Sequence, residues 1–513
     1  MKGKLINFRA FLVIAISVTA AVFCVYLYMY NTVAGLTVGI IYILLLAGVT
    51  VYFVFRFCRN VVRLTVVISF VLATALCVSA FTVGVVVGDK WHDGLSYEGY
   101  GTVSGRVCAV NVSAGTYRID LDELHINGRA LSGIMRVSVV AEDNNIADLV
   151  RCGDRLQFGA TVRAVKITDG GKVNGTAYRT DIRYNTTVKS NGIIMSVGKP
   201  KPIESFLISL KSLLTENMGE RYGNIAFAML TGDKHDLNNG VFGYYSAAGL
   251  GHIMAVSGLH IGFFILLLNL IMRRLSKKVR YPIMACVLMA YVVLADFSPS
   301  IIRAVIMAII AGIGILIGGR RDLLSSLCCA YSLLLAVKPL YMFEAGFLMS
   351  FGALFGIALF ANSVKRFLVK HRANKKVASG IGGAVSASVG ILPAQIYFFR
   401  SVNVLSVLIN VFVIPYVSIV FIAILCILPV AAIPGCGQAL IVCKYLLAFL
   451  DNLAYGLSKM PYAVIMLHSA WQVFLCYPIY FFGSEYIMLK KGKTAVGLYS
   501  AAVCIAIICV CSL

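Results

Sequence analysis

The chain has 513 residues, 60% of them hydrophobic, and its 45 Lys and Arg residues against 22 Asp and Glu give a formal net charge of +23. Soluble domains are about 45–50% apolar, so this composition excludes an ordinary soluble protein and indicates a multi-pass membrane protein. The basic residues lie between long apolar runs or at their ends, as they do in cytoplasmic loops of membrane proteins. The positive charge is therefore not in itself a sign of a nucleic-acid partner.

Three apolar runs, at about 11–30, 34–55 and 64–87, come first in the chain. Each is long enough to span a bilayer as a helix, which takes about 20 apolar residues. Basic residues precede the first run and separate the second from the third, and both basic segments are expected in the cytoplasm. Residues 1–90 are therefore predicted to form three transmembrane helices of the plasma membrane, with the N-terminus cytoplasmic and the third helix ending outside.

A polar region of short alternating runs, separated by Gly, Asn and Asp, follows at 91–198. Such alternation is typical of β-strands, and the pair Asn127–Gly128 predicts a tight hairpin turn. Five or six strands in about 100 residues predict a small extracytoplasmic all-β domain. An OB-like barrel fits this length and spacing, and several other small β folds fit it too.

Two of the fifteen cysteines, Cys108 and Cys152, belong to this polar region. Disulfides persist outside the cytoplasm, so a bridge between these two residues and a pair of buried free thiols are equally open alternatives. The aromatic residues Tyr100, Phe158 and Tyr184 offer surfaces on which nucleic-acid bases stack. The sequence favours the simpler interpretation that they form the core and rim of the barrel.

Residues 199–248 are predicted to form an interfacial amphipathic helix and a linker. Within 203–218, apolar residues share one helical face and Ser, Lys and Glu the other, which is typical of a helix in the membrane interface. A core helix of a soluble subdomain is the alternative. Residues 249–513 are predicted to be the main transmembrane domain, which brings the total to about 11–13 membrane helices. One or two of them fall within 403–433, where Pro415 and Pro429 suggest a broken helix.

Polar side chains recur within or beside the apolar runs of this second half. Ionisable groups are costly in a membrane, so a polar pathway is the default hypothesis, and the alternative is that acidic residues such as Glu344 cap helix ends. The residues fall into four segments: Asp233, His235 and Asp236; His252, Ser257 and His260; Asp296, Ser298, Ser300 and Arg303; and Glu344 with Ser350.

The segment "GLGHIMAVSGLHIGFF" (249–264) is predicted to begin a helix over 249–271. In such a helix His252 and His260 share one face, and Ser257 lies one turn before His260. A serine beside a histidine suggests a nucleophile and its base. Because both residues come from one short arc of one element, an intramembrane hydrolase is the weaker interpretation. The glycines of this segment suit a closely packed helix.

A series of motifs in this half, "MLTGDKHDL", "GHIMAVSGLHIGF", "SPSIIRA", "FEAGFLMSFGA" and "LPAQIYFF", resembles the competence domain of ComEC-type proteins. The resemblance implies a polytopic channel that carries one strand of transforming DNA across the cytoplasmic membrane. It also implies an N-terminal half with an OB-like domain. The family's motif positions correspond here to Asp233, His252, Ser257, Gly258, His260, Ser298, Arg303 and Ser350, to which Glu344 is added on its chemistry as a channel-lining residue.

Many members of that family carry a C-terminal metallo-β-lactamase-like nuclease domain, but this sequence contains no H-x-H-x-D-H motif and no P-loop. We therefore expect a form without that domain, with no metal, cofactor or enzymatic activity of its own. The expected partners are single-stranded DNA, a surface DNA receptor, a separate nuclease and a cytoplasmic ATPase or helicase. The alternatives are a small-solute or proton-coupled transporter and an intramembrane Ser/His hydrolase.

Overall fold

The fold is known from a computed structural model. It describes residues 10–30, 32–58, 64–94, 98–113, 116–140, 150–165, 168–169, 172–173, 177, 180–189, 193–233, 237, 239–254, 258–295, 297–316, 323–372, 374–399, 401–403, 405–459 and 464–466. Two predicted spans, 471–489 and 494–512, lie outside this part of the chain.

The chain begins with three long helices, α1 (Ala10–Tyr30), α2 (Thr32–Cys58) and α3 (Leu64–Gly94), as the sequence predicts. They do not form a separate bundle, because α1 and α3 also pack against helices from the second half of the chain. The Thr19 hydroxyl lies 2.9 Å from that of Tyr331, and such a hydrogen bond has no competing water in an apolar interface. Most of the α2 surface is left exposed, as expected for a helix that faces lipid.

The polar region forms a closed β-barrel. Its core is a set of alternating apolar residues, which the period-two pattern predicts to face inward. The pairing order β1-β2-β4-β8-β5 closes because β5 also pairs with β1, and β4–β8 is the parallel pair. The strands are β1 (Gly99–Ser113), β2 (Thr116–Ile126), β3 (Arg129–Ala130), β4 (Ile134–Val140), β5 (Arg155–Ala164), β6 (Thr168–Asp169), β7 (Lys172–Val173), β8 (Ile182–Lys189) and β9 (Ile194–Ser196).

The predicted hairpin is confirmed at Asn127–Gly128, where both residues have positive φ angles of 50° and 80°. This geometry is that of a type I′ turn, which favours Asn followed by Gly. The aromatic residues divide as the simpler interpretation expects, since Phe158 and Tyr184 are buried in the barrel. Tyr100 differs from them, because 76% of its surface is exposed on the outer face of β1.

The disulfide considered for the barrel is not formed, because Cys108 and Cys152 are both free thiols. Each sulfur lies instead against a backbone carbonyl: Cys108 Sγ is 3.2 Å from the oxygen of Asp120, and Cys152 Sγ is 3.5 Å from the oxygen of Cys108. Burial raises the pKa of the Cys108 thiol to about 12, and burial also raises that of Cys152. Both groups are therefore neutral thiols near pH 7.

The barrel is joined to the helical part by buried charge. Helix α4 (Pro202–Met218) begins directly after the barrel, and its Glu204 accepts a hydrogen bond from Arg106 of β1. Arg106 also contacts Asp122 at 3.1 Å, and Lys201 contacts the same carboxylate at 3.0 Å. Because the Arg106 side chain is largely buried, removing one partner would leave its charge uncompensated, so this network holds the barrel in place on α4.

The helix predicted over 203–218 is present, but the region after it is more than a linker. Helix α5 (Glu220–Thr231) is buried along the whole of 223–231, and α6 (Asn239–Ala247) follows it. Helix α5 was not predicted from the sequence, for two reasons. It has no charged residue after its first turn, so it shows no polar face, and it is too short to span a membrane. Together with α4, these helices pack against the last helices of the described chain.

In its described residues, the second half continues with eight helices, many of them apolar throughout. They are α7 (Gly258–Ile271), α8 (Lys277–Leu294), α9 (Pro299–Leu316), α10 (Leu323–Val337), α11 (Ala345–Lys370), α12 (Lys375–Phe399), α13 (Leu405–Ala431) and α14 (Ile441–Ser458). Over the described chain, six segments are long and apolar enough to cross a membrane: Val33–Tyr52, Phe70–Val87, Ala345–Lys370, Val377–Phe399, Phe412–Ala431 and Gly437–Ser458. This supports the prediction of a multi-pass membrane protein.

The prediction of one helix over 249–271 is wrong, because α7 begins only at Gly258. Helix α6 ends at Ala247, and Gly249, two residues later, has a φ of +75°. The Leu250 N–H then bonds to the Tyr245 oxygen and that of Gly249 to the Ser246 oxygen, the Schellman pattern that closes a helix. His252 follows in a single 3₁₀ turn, so it does not share a continuous helical face with His260.

The proline-containing segment 403–433 forms one continuous helix, α13, rather than two broken spans. Two short strands frame it: β10 (Ser401–Asn403) precedes α13, and β11 (Val464–Met466) follows α14. These strands pair with each other, so the chain returns to the same end of the bundle after α13 and α14. Because the chain leaves this end and comes back to it, α13 and α14 each cross the bundle once, in opposite directions.

Candidate functional site

The candidate site is built around Arg303, one turn into α9. Its side chain is buried, with 4% of the residue surface exposed, and it donates a hydrogen bond from Nη1 to the backbone oxygen of Ser350 in α11. The guanidinium also lies 5.4 Å from the ring centre of Phe351, within cation–π range. In the described part of the chain, no hydrogen bond is made by its Nε and no carboxylate pairs with it.

Gly258, the first residue of α7, completes this arrangement from the opposite side. A Cβ atom at this position would lie less than 3.0 Å from Nη2 of Arg303. The glycine therefore lets the backbone at the start of α7 approach the guanidinium closely. The positive end of the α7 dipole faces a cation there. Three predicted site residues, Gly258, Arg303 and Ser350, thus come together from three helices.

His260 lies two residues further along α7 and is also buried, with 2% of its surface exposed. Its ring meets that of Phe421 in α13 edge to face, at 4.7 Å between centres. The imidazole therefore lies where α7 packs on α13, next to the helix junction that holds Arg303. Ser257 lies outside the described residues, so the predicted pairing of Ser257 with His260 is not tested.

The other predicted residues lie at helix ends. Ser298 precedes α9, and its backbone oxygen accepts the first two helical N–H bonds, from Ile301 and Ile302. Glu344 directly precedes α11, as the capping interpretation expects, but its side chain forms no capping hydrogen bond. Asp233 follows the left-handed Gly232 that ends α5, and its N–H bonds to the Thr231 hydroxyl at 3.2 Å.

Sequence reasoning missed a buried acidic residue in α14, Asp451. Its carboxylate is 2% exposed, contacts Arg221 at 2.6 Å and accepts a hydrogen bond from the Tyr244 hydroxyl. These partners come from α5 and α6, more than 200 residues earlier, so no local pattern links them. A lone Asp within an apolar run was the one available signal.

The chemistry that this junction offers is polar contact. Within the described residues, no group of three or more His, Cys, Asp or Glu side chains is arranged to hold a metal ion. What the junction of α7, α9, α11 and α13 offers is a buried cation, an imidazole and an Nε donor with no partner of its own. Such groups can make contacts with an anion as it passes.

Comparisons with known proteins match the part of the chain that contains the candidate site. A family model described as "Competence protein" matches residues 229–491, which include Asp233, His260, Arg303 and Ser350. The ComE operon protein 3 of Bacillus subtilis (strain 168) is 28% identical over 262 residues, which cover 50% of this chain and 32% of that relative. No solved structure matches the chain. The chain therefore belongs to the competence protein family, as a ComEC-type member.

Proposed function

We propose that the chain is a membrane channel that moves single-stranded transforming DNA across the cytoplasmic membrane during natural competence. Family membership and the similarity to the ComE operon protein 3 support a role in DNA uptake. One observation carries the channel proposal: the buried guanidinium of Arg303, held where three helices meet and without a carboxylate partner among the described residues. A buried cation without a paired charge is costly in a membrane protein, and such residues commonly mark the pathway of an ion or substrate.

The DNA path would run along the predicted site residues. Arg303 and His260 would contact phosphates in turn, because several weak contacts let a polyanion move where one strong contact would hold it. The remaining members of this path would be Asp233, His252, Ser257, Gly258, Ser298, Glu344 and Ser350.

The β-barrel would receive DNA on the outer side of the membrane. Its closed five-strand order, with one parallel pair between β4 and β8, supports an OB-type barrel. The exposed ring of Tyr100 lies across Gly159, where any side chain would collide with it, and offers a surface on which a base can stack. In this proposal the barrel domain extends over 91–198, between transmembrane parts at 1–90 and 249–513.

The energy for transport would come from partners, since the sequence has no P-loop. A cytoplasmic ATPase or helicase would pull the entering strand, a surface receptor would deliver the DNA, and a separate nuclease would degrade the other strand. The chain itself would act without a cofactor and without catalysis.

Uptake by site variants tests the proposal. Arg303→Ala and His260→Ala should each abolish transformation and the entry of labelled DNA, while DNA binding at the cell surface stays unchanged. Gly262→Ala is the matched control, because this glycine of α7 has no atom within 4 Å of an added Cβ. Normal transformation by the Arg303 and His260 variants, at normal protein levels, would refute the channel proposal.

A proton-coupled transporter remains the second candidate, favoured by one observation. Asp451 is a buried carboxylate within a membrane-spanning helix, and Tyr244 and Arg221 contact it. Such a group can bind and release protons during transport. Proton or solute flux through the purified chain, lost in Asp451→Asn and never accompanied by DNA, would favour this candidate over the DNA channel.

A further inference from the structure

The turn between α7 and α8 carries positive charge that nothing in the described structure neutralises. Four of its cations are exposed and a fifth is half-buried, and none forms an ion pair with a described residue. The sequence from 258 to 295 contains no Asp or Glu at all. The five cations are Arg273, Arg274, Lys277, Lys278 and Arg280.

The placement of these cations opposes the dipole of α8. The helix begins at Lys277, so Lys277, Lys278 and Arg280 occupy its first turn, where the dipole is positive and acidic residues are favoured. The Ser276 side chain provides no capping hydrogen bond. Helices α4 and α5 follow the usual rule, with Glu204 and Glu220 in their first turns. At α8, a negative charge from outside the chain would relieve the repulsion.

Apolar side chains lie exposed around the same turn. They come from the end of α7, from the turn itself and from the start of α8, and all of them are aliphatic: Leu270, Ile271, Leu275, Val279 and Ile283. Cations interleaved with exposed aliphatic residues are typical of a surface that rests in the headgroup region of a bilayer. Arg280 adds a guanidinium that lies 5.2 Å from the ring centre of Tyr281.

The same arrangement recurs at the turn between α11 and α12. Helix α12 begins with Lys375 and Lys376, again followed by an exposed valine, Val377. Arg372 in the preceding turn is exposed too, as is the apolar side chain of Phe367. The sequence from 345 to 399 has no acidic residue. Two turns with the same unusual charge placement indicate one kind of partner.

We propose that these two turns, through the described residues of 272–283 and 366–377, bind the phosphate headgroups of anionic lipids. Lipid phosphates supply the missing negative charge at both helix N-termini, and the aliphatic residues beside the lysines enter the upper acyl region. Each lysine near an anionic bilayer surface strengthens such binding about fivefold. A nucleic-acid strand fits less well, because bases stack on aromatic rings and the exposed apolar residues of the first turn are aliphatic.

The test uses the full chain in nanodiscs of phosphatidylcholine, with or without phosphatidylglycerol, and measures the thermal unfolding midpoint. The wild type should melt at a higher temperature when phosphatidylglycerol is present. In Lys277→Glu/Lys278→Glu the order should reverse: the variant melts lower in anionic discs than in phosphatidylcholine. In phosphatidylcholine it should equal or exceed the wild type, because glutamates suit the helix dipole.

Two further variants sharpen the test. Lys277→Gln/Lys278→Gln should lose most of the wild-type rise without a reversal. Arg118→Glu/Arg129→Glu makes the same charge change at two exposed barrel residues and should keep the wild-type rise. An unchanged wild-type rise in the Lys277/Lys278 variants would overturn the proposal. So would a rise caused by an added oligonucleotide in phosphatidylcholine discs, with none from phosphatidylglycerol, since that result would assign the turns to nucleic acid.

Discussion

The contact between Gly258 and Arg303 gives the sharpest prediction about the site. In Gly258→Ala, the added Cβ would lie less than 3.0 Å from Nη2, so the guanidinium must move. Movement breaks the charge-assisted hydrogen bond to the Ser350 oxygen, worth about 1.5–3 kcal/mol, and weakens the contact with Phe351, worth about 0.5–1 kcal/mol. We therefore expect a loss of about 2–4 kcal/mol in the free energy of unfolding.

Unfolding by sodium dodecyl sulfate in mixed micelles measures this loss, and a second mutation identifies its cause. In an Arg303→Lys background no Nη2 is present, so Gly258→Ala should cost less than about 1 kcal/mol, a coupling that a double-mutant cycle isolates. Gly262→Ala has open space around its Cβ and should be neutral or stabilising by up to about 1 kcal/mol. Equal costs of Gly258→Ala in both backgrounds would refute the reasoning.

Three other predictions concern parts of the chain away from Arg303. Gly356→Ala should destabilise the α11–α12 pair by about 1–3 kcal/mol, because its Cβ would collide with the backbone of α12, whereas Gly383→Ala has open space and should not; unfolding in detergent compares the two. Arg221→Ala should cost about 3–5 kcal/mol, because it leaves the buried Asp451 carboxylate without its cation, and Asp451→Ala should cost less, since the guanidinium that remains is half-exposed; a larger loss from Asp451→Ala would contradict this order. Cys108 should resist alkylation at pH 8 in the folded chain, since its pKa is about 12, and should react once the chain is unfolded; rapid folded-state labelling would contradict its burial.

Much of the fold follows from local patterns. The apolar runs predict α1 to α3 because a span needs only length and hydropathy, and Asn127–Gly128 predicts its own turn because the φ angles depend on those two residues. The start of α7 could not be predicted in this way. The apolar pattern continues through 249–257, and the Schellman closure at Gly249 depends on hydrogen bonds that hydropathy does not report.

The site was predicted in part. The residues Arg303 and His260 stand out because charged and titratable groups are rare in apolar helices. Their partners are less visible, since a backbone oxygen in α11 and a phenylalanine in α13 carry no local sign of the contact. Asp451 was not predicted as a site residue, because its partners lie in α5 and α6, far away in the sequence.

Photo-cross-linking during uptake tests the DNA path most directly. Benzoylphenylalanine would replace Phe351, which stacks on Arg303, in competent cells that take up labelled DNA. The control position is Phe412 in α13, because 79% of the surface of this residue is exposed. The channel proposal predicts a DNA adduct at position 351 and none at 412. Active uptake with no adduct at 351 would contradict it.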